Sequence, residues 1–396
     1  MKKNLVLISA AFFSVLLITA GLVLFKHDKS NVTINVYNWG EYISDGTDGT
    51  LNVNEEFTKR TGIHVNYSTF QSNEALFAKM QGGGTKYDVV IPSDYMISKM
   101  IEKDMLRKID FENISNFSYI DDNFKNPTYD PTNEYSVPYT WGTIGIFYNK
   151  KMVNEPEEEI SWDILWNKKY SGKILMFDNP RDSFAISQIR LGIPLNTVNP
   201  KDWEYAAQDL RNQKPLVQSY VMDQIFDKMG NGEAALAPYY TGDAALLIQR
   251  NKDIGFVVPK IGTNKFIDAM CIPKDSEHPT EAQKYINFLC DPDIALENIR
   301  YIGYSSPETK VKNKLDPQIS NSKIYYPDEE TLKNSQVFTS LPDEINSLMD
   351  NLWITIKTGN VGNPLTLFAV ILCFVVLYLT IILYKKSKYK NSIKKN

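Results

Sequence analysis

Two unusually long extended segments constrain what this chain can fold into. Elsewhere, short runs of β-branched and aromatic residues alternate with segments of helical periodicity, a pattern typical of βα units around mostly parallel sheets. The run 136–149 contains internal glycines and is too long for one ordinary strand, and 265–272 is a second extended run. Strands that leave one lobe and enter another have this pattern. We therefore predict an α/β protein with two lobes, joined by crossing strands and hinged so that an interlobe cleft closes on a ligand.

The two crossing runs also predict the boundaries of the lobes. We assign residues 27–141 and 267–312 to lobe 1, and residues 142–266 and 313–360 to lobe 2. The chain is long enough for this division, because 396 residues, of which 43% are hydrophobic and 23% are charged, suffice for two ordinary globular domains.

A short stretch near the beginning of lobe 1 combines an indole, a carboxylate and a phenol. A β-type run ends at Tyr37, and Trp39, Glu41 and Tyr42 follow it in a segment that contains turn-forming residues. Open α/β sheets bind their ligands at the carboxyl ends of strands, so these side chains are candidates for the wall of a cation site. A hydrophobic cluster that caps the sheet explains the two aromatic residues equally well.

Other predicted strands end in side chains of the same two kinds. The candidates are Tyr95, Asp182, Tyr240, Phe266 and Asp268, and Asn179 stands close to Asp182 in the run 178–182. Taken singly, Asp182 and Asp243 have the simpler interpretation of helix caps. Taken together, carboxylates and aromatic rings at successive strand ends favour an alkylammonium ligand, because aromatic faces attract cations and carboxylates accept charge-assisted hydrogen bonds.

The charge distribution agrees with a cationic ligand and argues against nucleic acid. The net charge is −4, but residues 1–26 and 385–396 carry nine lysines and no acidic residue, so the remainder has a net charge of −13. A strongly acidic surface repels phosphate backbones. Solubility alone is the common alternative explanation for such acidity.

Each end of the chain contains a segment long and apolar enough to cross a membrane as a helix. Residues 5–25 carry no charge, and 364–384 are again apolar and are followed by the basic segment 385–396. We interpret residues 1–26 as an anchor, with a cleaved signal as the alternative. Because positive charge beside a span stays in the cytoplasm, we expect both termini inside and the segment between the spans outside.

Cysteine and histidine are too few and too scattered to indicate a metal site or nucleophilic catalysis. Cys271 and Cys290 lie among apolar neighbours without a CxxC motif, which favours two buried free thiols over a disulfide. The three histidines are far apart in the sequence. We therefore predict no metal and no cofactor.

The order of several motifs resembles one family, the bacterial spermidine/putrescine-binding proteins of the PotD type, which serve ABC importers. The resemblance extends over residues 32–340. It rests above all on Tyr37-Asn38-Trp39-x-Glu41-Tyr42, Tyr87-Asp88-x-Val90-x-Pro92-Ser93-x-Tyr95, Ser136-x-Pro138-Tyr139-x-Trp141-Gly142, Ser161-Trp162-x-x-Leu165-Trp166 and Asp268-Ala269-Met270-x-Ile272-Pro273.

The resemblance implies a type II periplasmic-binding-protein fold that holds a linear polyamine in its cleft. The positions that match the family's ligand contacts in kind are Trp39, Glu41, Tyr42, Ser93, Tyr95, Asp182, Tyr240 and Asp268. Asp268 is then the anionic partner of one ammonium group, Asp182 receives the other end, and the aromatic rings enclose the methylenes.

Departures from the family leave the preferred polyamine open. This chain has Phe266 and Tyr240 where the spermidine binder has tryptophan, Asn179 where it has an acid, and a residue near Phe338 in place of a late glutamine. Spans at both ends are a further departure from proteins that are usually secreted or lipid-tethered.

Three classes of function compete on these observations. A solute-binding component of a polyamine importer fits best, with ABC permease subunits and membrane lipid as partners. A membrane-held sensor would need an output domain, which the 12-residue basic tail does not provide, and a different small cationic solute would fit the same site. We predict that the chain is not an enzyme such as a glycosidase, because no nucleophile–base pair is visible.

Overall fold

The computed structural model describes residues 32–358, which divide into two compact units. Unit 1 comprises the described residues up to Trp141 together with Phe266–Asn321. Unit 2 comprises Gly142–Lys265 and the described residues from Ser322 onward. The boundaries between the units thus fall at 141/142, 265/266 and 321/322. The lobes assigned from the sequence have their boundaries at 141/142, 266/267 and 312/313.

The described residues form nine strands and thirteen α-helices, joined by loops and short 3-10 turns. In chain order, the strands are β1 (Thr33–Trp39), β2 (His64–Phe70), β3 (Val89–Val90), β4 (Ser136–Asn149), β5 (Ile174–Phe177), β6 (Val217–Val221), β7 (Leu236–Tyr240), β8 (Ile254–Val257) and β9 (Lys265–Cys271). The helices are α1 (Val53–Thr61), α2 (Asn73–Gln81), α3 (Asp94–Glu102), α4 (Pro180–Leu191), α5 (Pro200–Gln213), α6 (Gln224–Gly230), α7 (Thr241–Arg250), α8 (Pro279–Leu289), α9 (Pro292–Ile302), α10 (Thr309–Lys314), α11 (Pro317–Ser320), α12 (Glu329–Asn334) and α13 (Asp343–Thr358).

Unit 1 is built on a sheet in which β1 is central. Strands β2 and β3 both pair with β1 in parallel, and β9 pairs with β3 in the antiparallel direction, with Val90 opposite Cys271. Alternate residues of β1, Ile34 and Val36, are fully buried in the same core as Phe57 of α1. Because β1, β2 and β3 run in one direction, their carboxyl ends meet at one edge of the sheet, where the segments after Trp39 and Val90 begin.

Unit 2 has its own sheet, in the order β6-β5-β7-β4-β8. Strand β5 pairs in parallel with β6 and β7, whereas β4 pairs in the antiparallel direction with β7 and β8. Its core contains three large aromatic side chains from three helices, since the ring of Phe184 lies 5.3 Å from that of Trp203 and 6.5 Å from that of Trp353. The carboxyl ends of β5, β6 and β7 share one edge of this sheet.

The predicted extended runs are confirmed as β4 and β9. All fourteen residues of β4 are buried, which explains why its sequence is apolar on both faces. An internal glycine is required at Gly145, because a Cβ there would lie 2.4 Å from the ring of Phe256 in the neighbouring strand. Cys271 and Cys290 are buried free thiols, as expected.

Strand β6 was not expected from the sequence. It contains Gln218 and Ser219, and only Val221 is buried, so it lacks the apolar run or clean alternation that identifies a strand. Its pairing with β5, rather than its own composition, makes it a strand.

The two segments predicted to span a membrane, 5–25 and 364–384, lie outside the described residues. Within residues 32–358, no helix combines the length and the apolar character needed to cross a bilayer.

A buried carboxyl group of unit 1 lies beside the short helix α10. Glu308 is 3% exposed, and its Oε2 has no hydrogen-bond partner among the described residues. Burial raises the pKa of Glu308 to about 8; the nearby Asp291 raises it further and Lys310 opposes the increase. The folded protein therefore holds a proton here that the unfolded chain releases at lower pH.

We expect the Glu308→Gln variant to lose a pH dependence of stability that the wild type shows. Because the folded pKa is raised, the stabilisation by the bound proton is complete below about pH 4.5 and disappears as the pH rises through about 8. Glutamine cannot ionise, so at pH 8 the variant should unfold with a free energy about 1–2 kcal/mol larger than the wild type, and the two should converge towards pH 5. Thermal unfolding between pH 5 and pH 9 measures this.

The matched control is Glu134→Gln, which removes a surface partner of Lys108. It should change stability little at any of these pH values, since exposed ion pairs contribute little. A difference between wild type and Glu308→Gln that is equal at pH 5 and pH 8 would contradict the prediction.

Candidate functional site

A buried carboxylate in β9 is the centre of a polar cluster in unit 1. Asp268 is 4% exposed, and its Oδ2 accepts a hydrogen bond of 2.7 Å from the hydroxyl of Tyr42. That hydroxyl also lies 2.6 Å from Oγ1 of Thr140, which completes a chain of three polar side chains. Oδ1 of Asp268 is buried without a hydrogen-bond partner, and no lysine or arginine of the described residues forms an ion pair with it.

The environment of this carboxylate disfavours its charged form. Burial raises the pKa of Asp268 to about 6, while hydrogen bonding with Ser93 and Tyr42 counteracts part of the increase. Ser93 lies directly opposite Asp268, where the two backbones pair in the antiparallel direction. The predicted site residues Tyr42, Ser93 and Asp268 are therefore brought together.

Aromatic rings surround the hydroxyl chain. The ring of Tyr42 packs edge-on against that of Tyr304 at 5.0 Å and that of Tyr139 at 5.8 Å. Phe266, another predicted site residue, packs edge-on against Tyr304, with 6.1 Å between the two ring centres. Tyr304 was missed in the sequence because it follows the end of helix α9 rather than the end of a strand.

Three further predicted residues of unit 1 make other contacts. The half-buried ring of Trp39 packs at 4.5 Å against Phe70, and its Nε1 is buried without a hydrogen-bond partner among the described residues. The hydroxyl of Tyr95 donates to Oε1 of Glu74 at 2.8 Å. Glu41 is exposed in the left-handed region, with φ of 52°, and lines a groove of about 920 Å³ beside Tyr42.

In unit 2, the predicted residues after β5 and β7 form a second cluster. Asp182 is 5% exposed, and its Oδ2 accepts a hydrogen bond of 2.5 Å from the hydroxyl of Tyr240. The ring of Tyr240 packs at 5.1 Å against both Phe177 and Tyr239. A carboxylate and an aromatic wall thus lie together here as they do in unit 1.

The helix-cap interpretation belongs to Asn179 rather than to Asp182. The side chain of Asn179 is the N-cap of α4 and accepts from the backbone N–H of Asp182, and Pro180 occupies the first turn. Helix α7 has no side-chain N-cap, although Asp243 lies in its first turn. Asn179 therefore helps to place Asp182 at the carboxyl end of β5.

Carboxylates are concentrated around Tyr239 at the same edge of the sheet. The hydroxyl of Tyr239 donates to Oδ1 of Asp223 at 3.2 Å. Burial raises the pKa of Tyr239 most, and Asp243, Asp223 and Asp182 each raise it further, so all three act on one phenol. Asp223 was missed because it follows β6, the strand that the sequence did not reveal.

Arg181, beside Asp182, is directed to other partners in unit 2. Its guanidinium donates to Oδ1 of Asn196 and to the carbonyl oxygen of Thr339, and it lies 4.5 Å from the ring centre of Phe338. Phe338, which lies near the position where the resemblance places a glutamine of the family, therefore makes a cation–π contact with Arg181. Among residues 32–358, no group of three or more His, Cys, Asp or Glu side chains is arranged to hold a metal ion.

Comparison with known proteins finds similarity to bacterial solute-binding proteins. Residues 52–326 match the family described as bacterial extracellular solute-binding protein. The spermidine/putrescine-binding periplasmic protein of Escherichia coli is 37% identical over 311 residues, which cover 78% of this chain and 87% of that protein. The putrescine-binding periplasmic protein SpuD of Pseudomonas aeruginosa is 30% identical over 348 residues, which cover 83% of this chain and 93% of that protein.

A solved structure gives the same result at the level of the fold. The crystal structure of the spermidine/putrescine ABC transporter substrate-binding protein PotD from Streptococcus pneumoniae superposes with a TM-score of 0.74 at 35% identity, covering 83% of this chain and 99% of that chain. The predicted resemblance and the α/β periplasmic-binding-protein fold are thereby confirmed. These relatives are solute-binding proteins, which agrees with the prediction that the chain is not an enzyme.

Because Asp268 is buried without an ion pair among the described residues, we expect its replacement by asparagine to stabilise the ligand-free protein. In the absence of ligand, Asp268→Asn should unfold at pH 8 with a free energy about 1–2 kcal/mol larger than the wild type, because the buried charge is removed. The folded pKa is raised, so the stabilisation lost by the wild type as the pH rises through about 6 is retained by the variant. Denaturant unfolding at pH 4.5 and pH 8 measures the difference.

Asp88→Asn is the control, because Asp88 is equally buried but accepts hydrogen bonds from the backbone N–H of Asn35, the hydroxyl of Ser276 and the backbone N–H of His278. It should lower stability at pH 8. An Asp268→Asn variant less stable than the wild type at pH 8 would show that the charge is compensated.

Proposed function

The chain belongs to the bacterial extracellular solute-binding protein family, and from this premise we propose that it is the polyamine-binding component of an ABC importer. Putrescine or spermidine is the ligand, and the importer's permease subunits are the partners. The relatives support this choice of ligand, since they are spermidine/putrescine-binding and putrescine-binding proteins.

The observation that carries the proposal is the buried carboxylate of Asp268, which has one oxygen without a hydrogen-bond partner in the part of the chain that the structure describes. A buried anion is expensive unless a cation or hydrogen-bond donors compensate it, and Oδ1 of Asp268 has no partner among the described residues. A primary ammonium group supplies both the missing charge and the missing donor. At neutral pH the carboxyl is mostly ionised, because its pKa is about 6.

The neighbouring rings suit the rest of such a ligand. Tyr42, Tyr304 and Phe266 form an aromatic group next to the carboxylate. Ring faces attract the positive end of an alkylammonium and cover its methylenes, which a sugar or an anionic amino acid does not require. We assign one ammonium group of the ligand to Asp268 and its adjoining methylenes to these rings.

We assign a second ammonium group to the cluster in unit 2. Asp182 supplies the carboxylate, Tyr240 orients it through the short hydroxyl contact, and Asn179 fixes the start of the helix that carries it. Trp39, Glu41, Ser93 and Tyr95 complete the proposed set of contacts. Binding in a cleft between lobes stays a prediction.

The ligand is tested by isothermal titration calorimetry of the full-length protein in detergent. Putrescine, spermidine, agmatine, γ-aminobutyrate, glutamate and maltose form the panel, and only compounds with two or more cationic groups should bind tightly. A response to glutamate or maltose, with none to the polyamines, would refute the proposal.

Asp268→Asn should weaken polyamine binding by at least about 1.5 kcal/mol, the typical value for a charged hydrogen bond.

Two variants separate the clusters. Asp182→Asn should weaken the longer and the shorter polyamine to different extents, because it removes one charge from one end only. Tyr205→Ser, which changes an exposed side chain of α5, is the control and should leave every affinity unchanged. Equal affinities for Asp182→Asn and wild type would remove Asp182 from the site.

We also propose that residues 5–25 and 364–384 hold the protein in the cell membrane, with the ligand-binding part on the outer face and the basic tail in the cytoplasm. Their length, their lack of charge and the following lysines support this arrangement. Anchoring beside the permease would raise the local concentration of the binding protein there.

Fractionation of cells that express the full chain tests the anchoring. The chain should stay in the membrane pellet after alkaline carbonate extraction, and protease added to intact spheroplasts should digest residues 32–358. A variant without residues 1–26 and 364–396 is the control for membrane retention. Recovery of the full chain in the soluble fraction would overturn this part of the proposal.

A further inference from the structure

A second buried carboxylate, outside the predicted set, lies one hydrogen bond away from the strand that carries Asp268. Asp94 is fully buried at the first position of α3. Its Oδ1 accepts from the backbone N–H of Tyr95 at 2.7 Å, and its Oδ2 accepts from the backbone N–H of Ile267 at 3.1 Å. One side chain therefore ties the beginning of α3 to β9 at the residue that precedes Asp268.

The contact to Ile267 continues a strand ladder past the point where the strand itself ends. The antiparallel register places Val90 opposite Cys271 and Ser93 opposite Asp268, and the backbone N–H of Ala269 donates to the carbonyl oxygen of Pro92 at 3.1 Å. The same register places position 94 opposite 267. There the backbone has turned into α3, and the carboxylate of Asp94 takes the place of a strand carbonyl.

Both peptide N–H groups that flank Asp268 are thus held by the segment after β3. Pro92 holds the N–H of residue 269 through its main chain, and Asp94 holds the N–H of residue 267 through its side chain. Without Asp94, the buried N–H of Ile267 would lose this partner, and the backbone just before Asp268 would be held less firmly.

A carboxylate suits this position better than an amide. Each of its two oxygens accepts one backbone N–H, whereas asparagine has one oxygen and would have to leave one of the two donors unpaired. The first turn of a helix also stabilises negative charge. These contacts stabilise a charged side chain that is buried in the core.

We propose that Asp94 is a positioning residue for ligand binding, which holds β9 so that the carboxylate of Asp268 is fixed where an ammonium group meets it. The inference rests on the proposed function of Asp268. A buried carboxylate with an unpaired oxygen gains by moving towards water or a donor, so a pre-organised site requires that its backbone be held.

The test compares Asp94→Ala and Asp94→Asn with the wild type by calorimetry, with putrescine and spermidine as the probes and the full chain in detergent. Asp94→Ala should raise the Kd about tenfold or more, as loss of a group that orients a ligand-binding side chain does at metal sites. Asp94→Asn keeps one acceptor oxygen, and its Kd should lie between those of wild type and Asp94→Ala. Should the alanine variant fail to fold, the asparagine variant still gives the result.

Asp88→Asn is the matched control, because Asp88 is a buried carboxylate just before β3 and accepts backbone and hydroxyl hydrogen bonds away from β9 residues 267–269. It should lower the melting temperature and leave the Kd unchanged. Wild-type affinity in Asp94→Ala, or equal weakening by Asp88→Asn, would overturn the inference.

A ligand-independent measurement separates this inference from the proposed function. In carbon-13 NMR of protein labelled at the aspartate carboxyl carbons, the Asp268 signal, assigned by its loss in Asp268→Asn, should titrate near pH 6 in the wild type. Release of β9 in Asp94→Ala should move its midpoint towards lower pH, and Asp88→Asn should not. Absence of polyamine binding by the wild type refutes the proposed function, whereas an unchanged midpoint in Asp94→Ala refutes the positioning role.

Discussion

The burial of one carboxylate without a cation is the constraint on which the rest of unit 1 depends. Water would solvate Asp268 far better than the protein does, and the rise of its pKa to about 6 expresses that cost. The side chain is kept in place by the hydroxyl of Tyr42, by the pairing of β9 with the segment after β3, and by the carboxylate of Asp94. Holding the side chain in this way costs stability, because Oδ1 of Asp268 stays buried without a hydrogen-bond partner in residues 32–358. Under the proposed function, this oxygen meets the ligand.

Unit 2 differs from unit 1 in that several carboxylates lie together at one edge of its sheet. Three carboxylates, those of Asp182, Asp223 and Asp243, raise the pKa of the single phenol of Tyr239, and a fourth acid at this edge, Asp178, pairs with Lys357 at 2.5 Å. Negative charge therefore accumulates at the carboxyl ends of β5, β6 and β7. An acidic edge of this kind attracts any cation, so shape and aromatic contacts, rather than charge alone, have to supply selectivity.

The sequence predicted what local pattern and residue type determine, and missed what pairing determines. The β4 run was found because it is a long extended segment with internal glycines, and Asp268 was found because it follows an aromatic residue on the second extended run and matches the family in kind. Strand β6 was missed because its own residues are half-exposed and its pairing partner is β5, more than 40 residues earlier. With β6 unseen, Asp223 had no strand end to mark it. Asp94 was not among the predicted site residues, since nothing in a linear sequence shows that its second oxygen reaches residue 267.

One buried carboxylate fixes one end of an alkylammonium and carries no information about its length. Under the proposed function, the length of the ligand is read by the groups assigned to its other end, which are one buried carboxylate, Asp182, and one amide, Asn179. The amide oxygen of Asn179 is already used to cap α4, and an amide has no charge to offer to an ammonium group. A second charge beside Asp182 therefore has to come from Asp223 or Asp243, which reach the site from different strand ends than Asn179. Under the proposed function, an asparagine where the family has an acid therefore leaves the counter-charge of a third ammonium group to a different position, and we expect the preferred polyamine to change with that position.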